Sequence, residues 1–316
     1  MHSGMDSISR RRFLVLGGMT AMVAALPARK AKASPMGLPI GIQLYTVSKP
    51  LNDDPAGTLK QLYAIGYREV ESAGMAKTTP KELRKMIDDA GLKCPSAHLQ
   101  LTKADLGPVF EEAHIFGAQY AVSSVLREFD PAFMKAARAA MASGKEIKPP
   151  SMPPLGLDGF KKTAEKMNEV GKKAKAAGLQ YAYHNHNFEF EKMPDGSPGY
   201  DILVKETDPD LVKFEIDCGW MTVAGYDPVE YMKNYPGRVK MLHIKDFQKM
   251  PPTTDLMGPN RPKGADLGTG FVDYGPIFAA GKSAGVEHIF DEQEQPFPES
   301  QIASAKANFA YLEKFS

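Results

Sequence analysis

Short apolar stretches alternate with longer amphipathic stretches along the chain from residue 38 onward. The apolar stretches are rich in β-branched and aromatic side chains and predict strands, whereas apolar residues recurring every three to four positions predict helices. The predicted strands cover residues 40–47, 69–73, 93–99, 120–126, 181–190, 213–220, 239–246 and 288–294. The predicted helices cover residues 54–64, 79–90, 104–116, 129–142, 157–177, 200–206, 228–234, 274–284 and 298–314.

This alternation of strand and helix predicts a (β/α)8 barrel, because eight strands each lead into helical sequence. Cap signals agree with the element borders: Thr79-Pro80 opens a helix and Gly178 follows the end of another. A doubly wound open sheet is the alternative, but that fold calls for a glycine-rich phosphate turn after its first strand. Residues 45–48 read Tyr-Thr-Val-Ser and contain no such turn, so we predict the barrel.

The N-terminus has the pattern of an export signal. Residues 9–14 read Ser-Arg-Arg-Arg-Phe-Leu, a twin-arginine motif, and the apolar run 13–26 and the small-x-small site 31–33 follow it. We therefore predict a twin-arginine signal peptide over residues 1–33 and a single barrel domain over residues 34–316. We therefore expect a periplasmic or exported protein that has no stable membrane association after cleavage. The alternative is an uncleaved membrane anchor.

Charge and cysteine content narrow the function classes. The chain has 39 Lys and Arg and 38 Asp and Glu, and residues 1–33 hold six of the bases and one of the acids. The remainder therefore carries a net charge of −4 and shows no basic stripe, which argues against a nucleic-acid partner. Two cysteines, Cys94 and Cys218, are too few for a disulfide framework, and we predict that both are buried free thiols.

The fifth predicted strand leads into a polar cluster, His184-Asn185-His186-Asn187. In an extended chain the two histidines share one face and the two asparagines share the other. Paired imidazoles at a strand end are typical of a metal site or an acid–base pair. A structural alternative is that one histidine is a hydrogen-bonded core residue and the other lies in a loop.

Polar side chains gather where barrel enzymes keep their active sites, at the C-terminal ends of the strands. Four of the seven histidines fall there, together with carboxylates of strands six and eight. Such a set of nitrogen and oxygen donors suits Mn²⁺, Mg²⁺, Co²⁺ or Zn²⁺. The alternative is a hydrogen-bonded cluster that holds no metal. The residues concerned are His98, His184, His186, His243, Asp217 and Glu292.

These strand ends carry a family resemblance. The stretches GIQLYTV, EVESAG, SAHLQL, YHNHNFEF, EIDCGW, LHIKD, DLGTGFVDY and FDEQEQP occur in this order over nearly all of the chain after the predicted signal. In this order and spacing the chain resembles the sugar phosphate isomerase/epimerase superfamily, with its xylose isomerase-like barrel.

The resemblance implies a divalent metal held by a glutamate, an aspartate, a histidine and a glutamate from strands five to eight. Asp217, His243 and Glu292 match the last three positions. The first position departs from the family pattern, because His184 stands where the epimerases carry glutamate. We predict His184 as the fourth ligand, with His186 and then Glu189 as alternatives; Glu294 is the alternative to Glu292.

The resemblance also implies a reaction in which a base removes the proton next to a sugar carbonyl. The predicted acid–base residues are Glu189, His98 and Lys245, in that order. We place Lys245 on the strand face opposite His243, where it could instead only pair with an acid at the rim. The predicted substrate-binding residues are Tyr45, Glu71, His186 and Trp220.

Export and the lack of a phosphate-binding glycine loop favour a non-phosphorylated substrate. We predict a metal-dependent isomerase or epimerase that acts on a neutral sugar or keto-sugar. The alternatives are a lyase or hydratase of 3-keto-glycosides that uses the same first step, and a non-catalytic periplasmic sugar-binding protein. A nuclease is excluded by the acidic charge and the small number of metal ligands. A homo-oligomer is left open.

Overall fold

Eight parallel strands close into a barrel in the computed structural model, which describes residues 34–74, 77–127, 129–142, 150–258 and 260–315. Each strand pairs with the next one along the chain, and the last pairs with the first, so the predicted barrel is confirmed. The strands are β1 (Ile40–Gln43), β2 (Glu69–Ser72), β3 (Lys93–His98), β4 (Tyr120–Ser123), β5 (Gln180–His184), β6 (Val212–Asp217), β7 (Val239–Ile244) and β8 (His288–Asp291).

Helices connect the strands and surround the barrel. They are α1 (Ser48–Asp53), α2 (Pro55–Ile65), α3 (Pro80–Asp89), α4 (Gly107–Phe116), α5 (Pro131–Ala142), α6 (Gly156–Ala176), α7 (Gly199–Lys205), α8 (Cys218–Val223), α9 (Pro228–Asn234), α10 (Tyr274–Ala284) and α11 (Gln301–Leu312). Local sequence sets several borders. Thr79 and Glu82 form a reciprocal capping box at the start of α3, which satisfies two backbone N–H groups that have no partner inside the helix.

Two apolar layers hold the barrel together. The larger core fills the space between the strands and the surrounding helices, and a smaller cluster fills the barrel interior. The interior cluster consists of Tyr120, Val122, Ala182, Met241 and Phe290. Gly41 of β1 faces this cluster: a Cβ added there would lie 2.6 Å from the ring of Phe290, so the close packing of that ring requires glycine.

The strands end earlier than the sequence pattern predicts. β1 ends at Gln43 and is followed by a 3₁₀ turn, Leu44–Val47, and β8 ends at Asp291. β6 ends at Asp217 because the carboxylate of this residue accepts a hydrogen bond from Trp220 N and so caps α8. The side chains beyond these ends therefore project from turns and loops above the barrel.

The structure confirms the prediction for the cysteines and leaves the predicted signal peptide untested. Cys94 and Cys218 are both free and buried, as predicted. The predicted signal peptide, residues 1–33, lies outside the described residues. Among the helices that the structure describes, none is both long and apolar enough to cross a membrane.

Candidate metal centre and pocket

Four predicted ligands come together above the barrel interior. Strand register places His184 beside Glu215 and Asp217 beside His243, and the turn after β8 adds Glu292. One donor atom from each of His184, Asp217, His243 and Glu292 lies within 4.8 Å of the other three, and all four residues are buried. We call these residues the four-donor group. Their arrangement could hold a metal ion, and their role as ligands stays a prediction.

Asp217 and His184 face each other across one side of this group. Asp217 Oδ1 caps α8 by accepting from Trp220 N at 2.8 Å, which leaves Oδ2 directed into the group. Asp217 Oδ2 lies 3.9 Å from His184 Nε2 and 3.1 Å from the ammonium of Lys245. Burial raises the pKa of Asp217 to about 6, although Lys245 opposes this effect. A buried carboxylate oxygen of this kind is a suitable ligand for a cation.

His243 and Glu292 form the other side of the group. His243 Nδ1 lies 2.7 Å from Glu292 Oε2, and the imidazole is fully buried. Burial opposes a charge on His243, but Glu215 and Glu71 outweigh this effect and raise its pKa well above the usual value. Burial likewise opposes ionisation of Glu292, but Lys245 and His243 lower its pKa well below the usual value. The two side chains thus stabilise opposite charges on each other.

Glu71 and Glu215 lie beneath the histidines, and neither is exposed. Glu71 Oε2 accepts from Gln43 Nε2 at 2.8 Å and from His243 Nε2 at 2.7 Å. Burial opposes ionisation of both acids, but neighbouring imidazoles lower the pKa of Glu71 and bring that of Glu215 to about 2. The predicted contact of Glu71 with sugar hydroxyls does not fit, because its carboxylate is engaged below the pocket. Glu215 is a site residue to which the sequence pattern assigns no role.

Lys245 lies in the site and not on the opposite face. Residues two positions apart share a strand face, so the predicted orientation relative to His243 was wrong. Lys245 Nζ lies 3.1 Å from Asp217 Oδ2, 2.9 Å from Glu292 Oε2 and 3.2 Å from Glu294 Oε1. Burial opposes the charge, but Asp217, Glu292 and Glu294 outweigh it and raise the pKa of this fully buried ammonium.

A pocket of about 350 Å³ opens above the four-donor group. Its lining includes the predicted residues Tyr45, His98 and His186, and it also includes Leu256, Met257 and Arg261 from the loop after β7. Arg261 Nη2 donates to Glu294 Oε2 at 2.7 Å and so ties this loop to the turn after β8. A larger groove of about 550 Å³ between α9 and α10 has no group of acid–base or metal-ligating side chains in its lining.

Two of the histidines that line the pocket, His98 and His186, have opposite charge preferences. Burial opposes the charge on His98, but Glu71 and Glu215 outweigh it and raise its pKa to about 10, so the ring is cationic. Burial and the nearby Lys245 lower the pKa of His186 to about 3, so that ring is neutral. His98 therefore presents N–H donors to the pocket, and His186 is suited to make neutral polar contacts.

Trp220 and Glu189, like Glu71, do not line the pocket. Trp220 is fully buried, because α8 starts at Cys218 and turns its ring against Phe247, with 4.6 Å between ring centroids. Glu189 is also fully buried: its carboxylate accepts from Tyr183 OH at 2.8 Å and from His186 N at 2.9 Å. The structure therefore assigns neither residue a substrate contact.

Substitution of Glu189 by Gln should change how stability depends on pH. Burial raises the pKa of Glu189 to about 8, so the folded state holds this proton more tightly than the unfolded state. The stability that this proton contributes is complete below the unfolded pKa, near 4.5, and is lost as the pH rises through 8. Between pH 5 and pH 9 the melting temperature of the wild type should therefore fall by a few degrees more than that of Glu189→Gln. Parallel pH profiles would contradict this placement.

The asparagines of the β5 motif bind neighbouring backbone. Asn185 Oδ1 accepts from Asp217 N at 3.2 Å, and Asn185 Nδ2 donates to Asp217 O at 3.3 Å. Asn187 Nδ2 donates to Thr253 O at 3.0 Å, in the loop that covers the pocket. Strand β5 ends at His184 and a 3₁₀ turn, Phe188–Phe190, follows, so the predicted strand over residues 181–190 is too long. The asparagines bind Asp217 and the loop whereas both histidines line the pocket, so the two residue types still face different ways.

Asp246 organises the next loop. Its carboxylate accepts from the backbone N–H groups of five residues, Phe247, Gly268, Gly270, Phe271 and Val272, at 2.9 to 3.1 Å. Five acceptor contacts to one buried carboxylate fix the path of the DLGTGFVDY stretch. Lys245 and Asp246 are therefore adjacent in sequence but act in different places: Lys245 pairs with the carboxylates of the site, and Asp246 holds the loop.

The fold and this geometry agree with a known family. Residues 59–306 match the family described as xylose isomerase-like TIM barrel. The chain belongs to this family.

Among the relatives of this xylose isomerase-like barrel are inosose dehydratases. That of Clostridium perfringens ATCC 13124 is 30% identical over 131 residues, which are 39% of this chain and 43% of that enzyme. That of Geobacillus kaustophilus HTA426 is 24% identical over 263 residues, which are 72% of this chain and 79% of that enzyme. The chain thus spans less than half the length of the C. perfringens relative.

Solved structures share the barrel. A sugar phosphate isomerase/epimerase from Parabacteroides distasonis ATCC 8503 is 26% identical, with a TM-score of 0.68, covering 91% of this chain and 98% of that one. Two others share the fold: a Mycobacterium smegmatis protein in complex with magnesium (17% identical, 89% and 97% covered) and the IOLI protein with a zinc atom (13% identical, 88% and 99% covered). Both have a TM-score of 0.59.

Proposed function

We propose that this protein is a divalent-metal-dependent enzyme that removes a proton next to the carbonyl of a non-phosphorylated keto-sugar. The observation that carries the proposal is the four-donor group, which brings two imidazoles and two carboxylates together in a buried position, with His184 and Glu292 lining the pocket. A site that only bound sugar would not need four buried metal-type donors beneath its pocket.

His184, Asp217, His243 and Glu292 would hold the ion. Their mixed nitrogen and oxygen donors suit Mn²⁺, Co²⁺, Zn²⁺ or Mg²⁺. A bound divalent ion supplies positive charge that stabilises the negative charge developing on substrate oxygens when the proton leaves. One further contact supports this assignment: Lys245 Nζ lies 3.1 Å from Asp217 Oδ2, so the group already binds a positive charge.

Side chains of the pocket would handle the protons. Two described carboxylates line the pocket, Glu292 and Glu294, and Glu294 lies outside the four-donor group. Glu294 is therefore our candidate base, with Lys245 3.2 Å from its Oε1 to hold its orientation. His98, which is cationic and lines the same pocket, is the candidate acid. Tyr45 and His186 supply the aromatic and polar contacts that orient a sugar ring.

Two outcomes of the same first step are in competition. Loss of a neighbouring hydroxyl or glycosidic oxygen gives elimination, and the sequence relatives favour it because they are named dehydratases. Return of a proton to the opposite face gives epimerisation, which the likeness to the P. distasonis protein supports. We propose elimination as the main reaction, because His98 can protonate the departing oxygen. The twin-arginine motif supports a periplasmic or exported location.

Exchange in D₂O tests the shared first step without choosing a product. The metal-loaded protein is incubated with an inosose, a 3-keto-glucoside and a set of free ketoses, and the proton next to each carbonyl is followed by NMR. We expect loss of that proton signal for one substrate class and its arrest after treatment with a chelator. Release of water or aglycone identifies elimination. Sugar binding with no exchange for any substrate would overturn the enzyme proposal in favour of a binding protein.

A further inference from the structure

Glu215 has an unusual set of neighbours. Its Oε2 atom lies 2.9 Å from His98 Nε2, 3.1 Å from His184 Nδ1 and 3.3 Å from His243 Nε2. Its Oε1 atom is buried and has no hydrogen-bond partner among the described residues. One carboxylate oxygen thus faces three imidazole nitrogens, and because a carboxylate only accepts, a nitrogen that binds it must carry the hydrogen.

This contact determines which nitrogen of His184 is free. A neutral imidazole carries one hydrogen, so a hydrogen on Nδ1 leaves the lone pair on Nε2. His184 Nε2 faces Asp217, with 3.9 Å to Oδ2. The nitrogen that Glu215 does not contact is therefore the one that belongs to the four-donor group.

His243 follows the same rule. Its Nε2 atom lies 2.7 Å from Glu71 Oε2 and 3.3 Å from Glu215 Oε2, so both carboxylates hold the hydrogen on this nitrogen. Its Nδ1 atom points to Glu292 at 2.7 Å, a separation that requires a proton or a cation between the two atoms. The four-donor group and the carboxylates below it thus contact opposite edges of both rings.

We propose that Glu215 is a positioning residue of the candidate metal centre: it fixes the Nδ1–H form of His184 and, with Glu71, the Nε2–H form of His243, so that both rings present a lone pair to one cation. This inference rests on the proposed function, because it concerns the same site. It also explains why carboxylates lie beneath the histidines, since a carboxylate that accepts from a ligand histidine makes that ligand more basic.

A second cation below the histidines is the competing interpretation. His98, His184, Glu215 and His243 also bring one donor atom each within 4.8 Å of one another. Two cations, one in each group, would share His184 and His243. Each ring would then have to bind through both nitrogens and lose its last hydrogen. A neutral imidazole has only one lone pair for a metal, so hydrogen bonding to Glu215 is the simpler arrangement.

Glu215→Gln is the informative variant, because it keeps the size of the side chain but can direct an amide N–H at His184 Nδ1. We expect the affinity for Co²⁺ or Zn²⁺, measured by calorimetry, to fall by about 10- to 100-fold. Glu69→Gln is the matched control: Glu69 is also buried and binds a ring nitrogen, His288 Nδ1 at 2.8 Å, but at the opposite end of the barrel. The control should bind the metal as the wild type does.

Nitrogen-15 NMR of the metal-free wild type gives a test that needs no variant. We expect the Nδ1–H form for His184, and the Nε2–H form in Glu215→Gln. Wild-type metal affinity in Glu215→Gln, or the Nε2–H form of His184 in the wild type, would overturn the proposal. So would two bound ions in the wild type and one in the variant, since Glu215 would then be a ligand. A wild type that binds no metal would instead count against the proposed function, and the NMR result would stand separately.

Discussion

Replacing Asp217 by Asn should remove bound metal and reduce turnover by about a thousand-fold, which corresponds to about 4 kcal/mol of lost transition-state stabilisation. Asn is chosen because its Oδ1 can still accept from Trp220 N and keep the cap of α8. The atom that changes is Oδ2, which faces His184 and Lys245 inside the four-donor group. Metal content by elemental analysis and turnover of the substrate found by D₂O exchange are the two measurements.

Asp273→Asn is the matched control for this change. Asp273 caps α10 through its side chain, as Asp217 caps α8, but it is exposed and outside the site. The control should keep metal and turnover at the wild-type level. If Asp217→Asn also retains its metal, the four-donor group is not the metal site and the ligand assignment fails.

Replacing Lys245 by Met should destabilise the metal-free protein by roughly 3–5 kcal/mol, because it leaves buried carboxylates without their cation. Lys245 Nζ contacts Asp217, Glu292 and Glu294 at 2.9 to 3.2 Å, and none of the four side chains is more than slightly exposed. For a domain of this size the melting temperature should fall by about 10 °C. Differential scanning calorimetry in the presence of a chelator measures the change.

A divalent metal should then stabilise Lys245→Met more than it stabilises the wild type. The ammonium competes with the ion for Asp217 and Glu292, and its removal leaves the ion as the remaining partner. Lys240→Met, on β7, is the control: Lys240 pairs with Glu287 in a partly exposed position, and its loss should cost less than about 1 kcal/mol. A Lys245→Met protein that melts with the wild type in chelator would contradict the ion-pair account.

The sequence predicts the barrel because its signals are local. Strand and helix periodicity, caps such as Thr79 and the spacing of the apolar stretches all act within a few residues. The positions of Asp217 and His243 could be inferred as well, since parallel strands bring their carboxyl ends to one side. The lengths of the strands are harder to predict from the sequence. The pairing of β6, for example, stops at Asp217 because the side chain of this residue caps a helix that begins there.

The remaining parts of the site depend on contacts between distant segments. Glu71 and Glu215 meet beneath His243 only after β2, β6 and β7 are in place, and no short motif indicates that meeting. Glu215 nevertheless left a signal, since it lies two positions before Asp217 and therefore on the same strand face. Arg261 left none, because it lies in a long loop whose path is fixed by tertiary contacts. The face of Lys245, by contrast, can be read from the sequence, because Lys245 lies two positions after His243 and residues two apart share a strand face.

The alternation within His184-Asn185-His186-Asn187 has a consequence for how this chain can change in length. Both faces of the segment are committed, the histidines to the site and the asparagines to Asp217 and Thr253. Inserting or deleting a single residue there would shift every side chain of the segment relative to the pocket and to the backbone groups that it binds. A substitution there would remove the contacts of one side chain, whereas a change of length would disrupt the candidate metal centre and the anchoring of the pocket loop together.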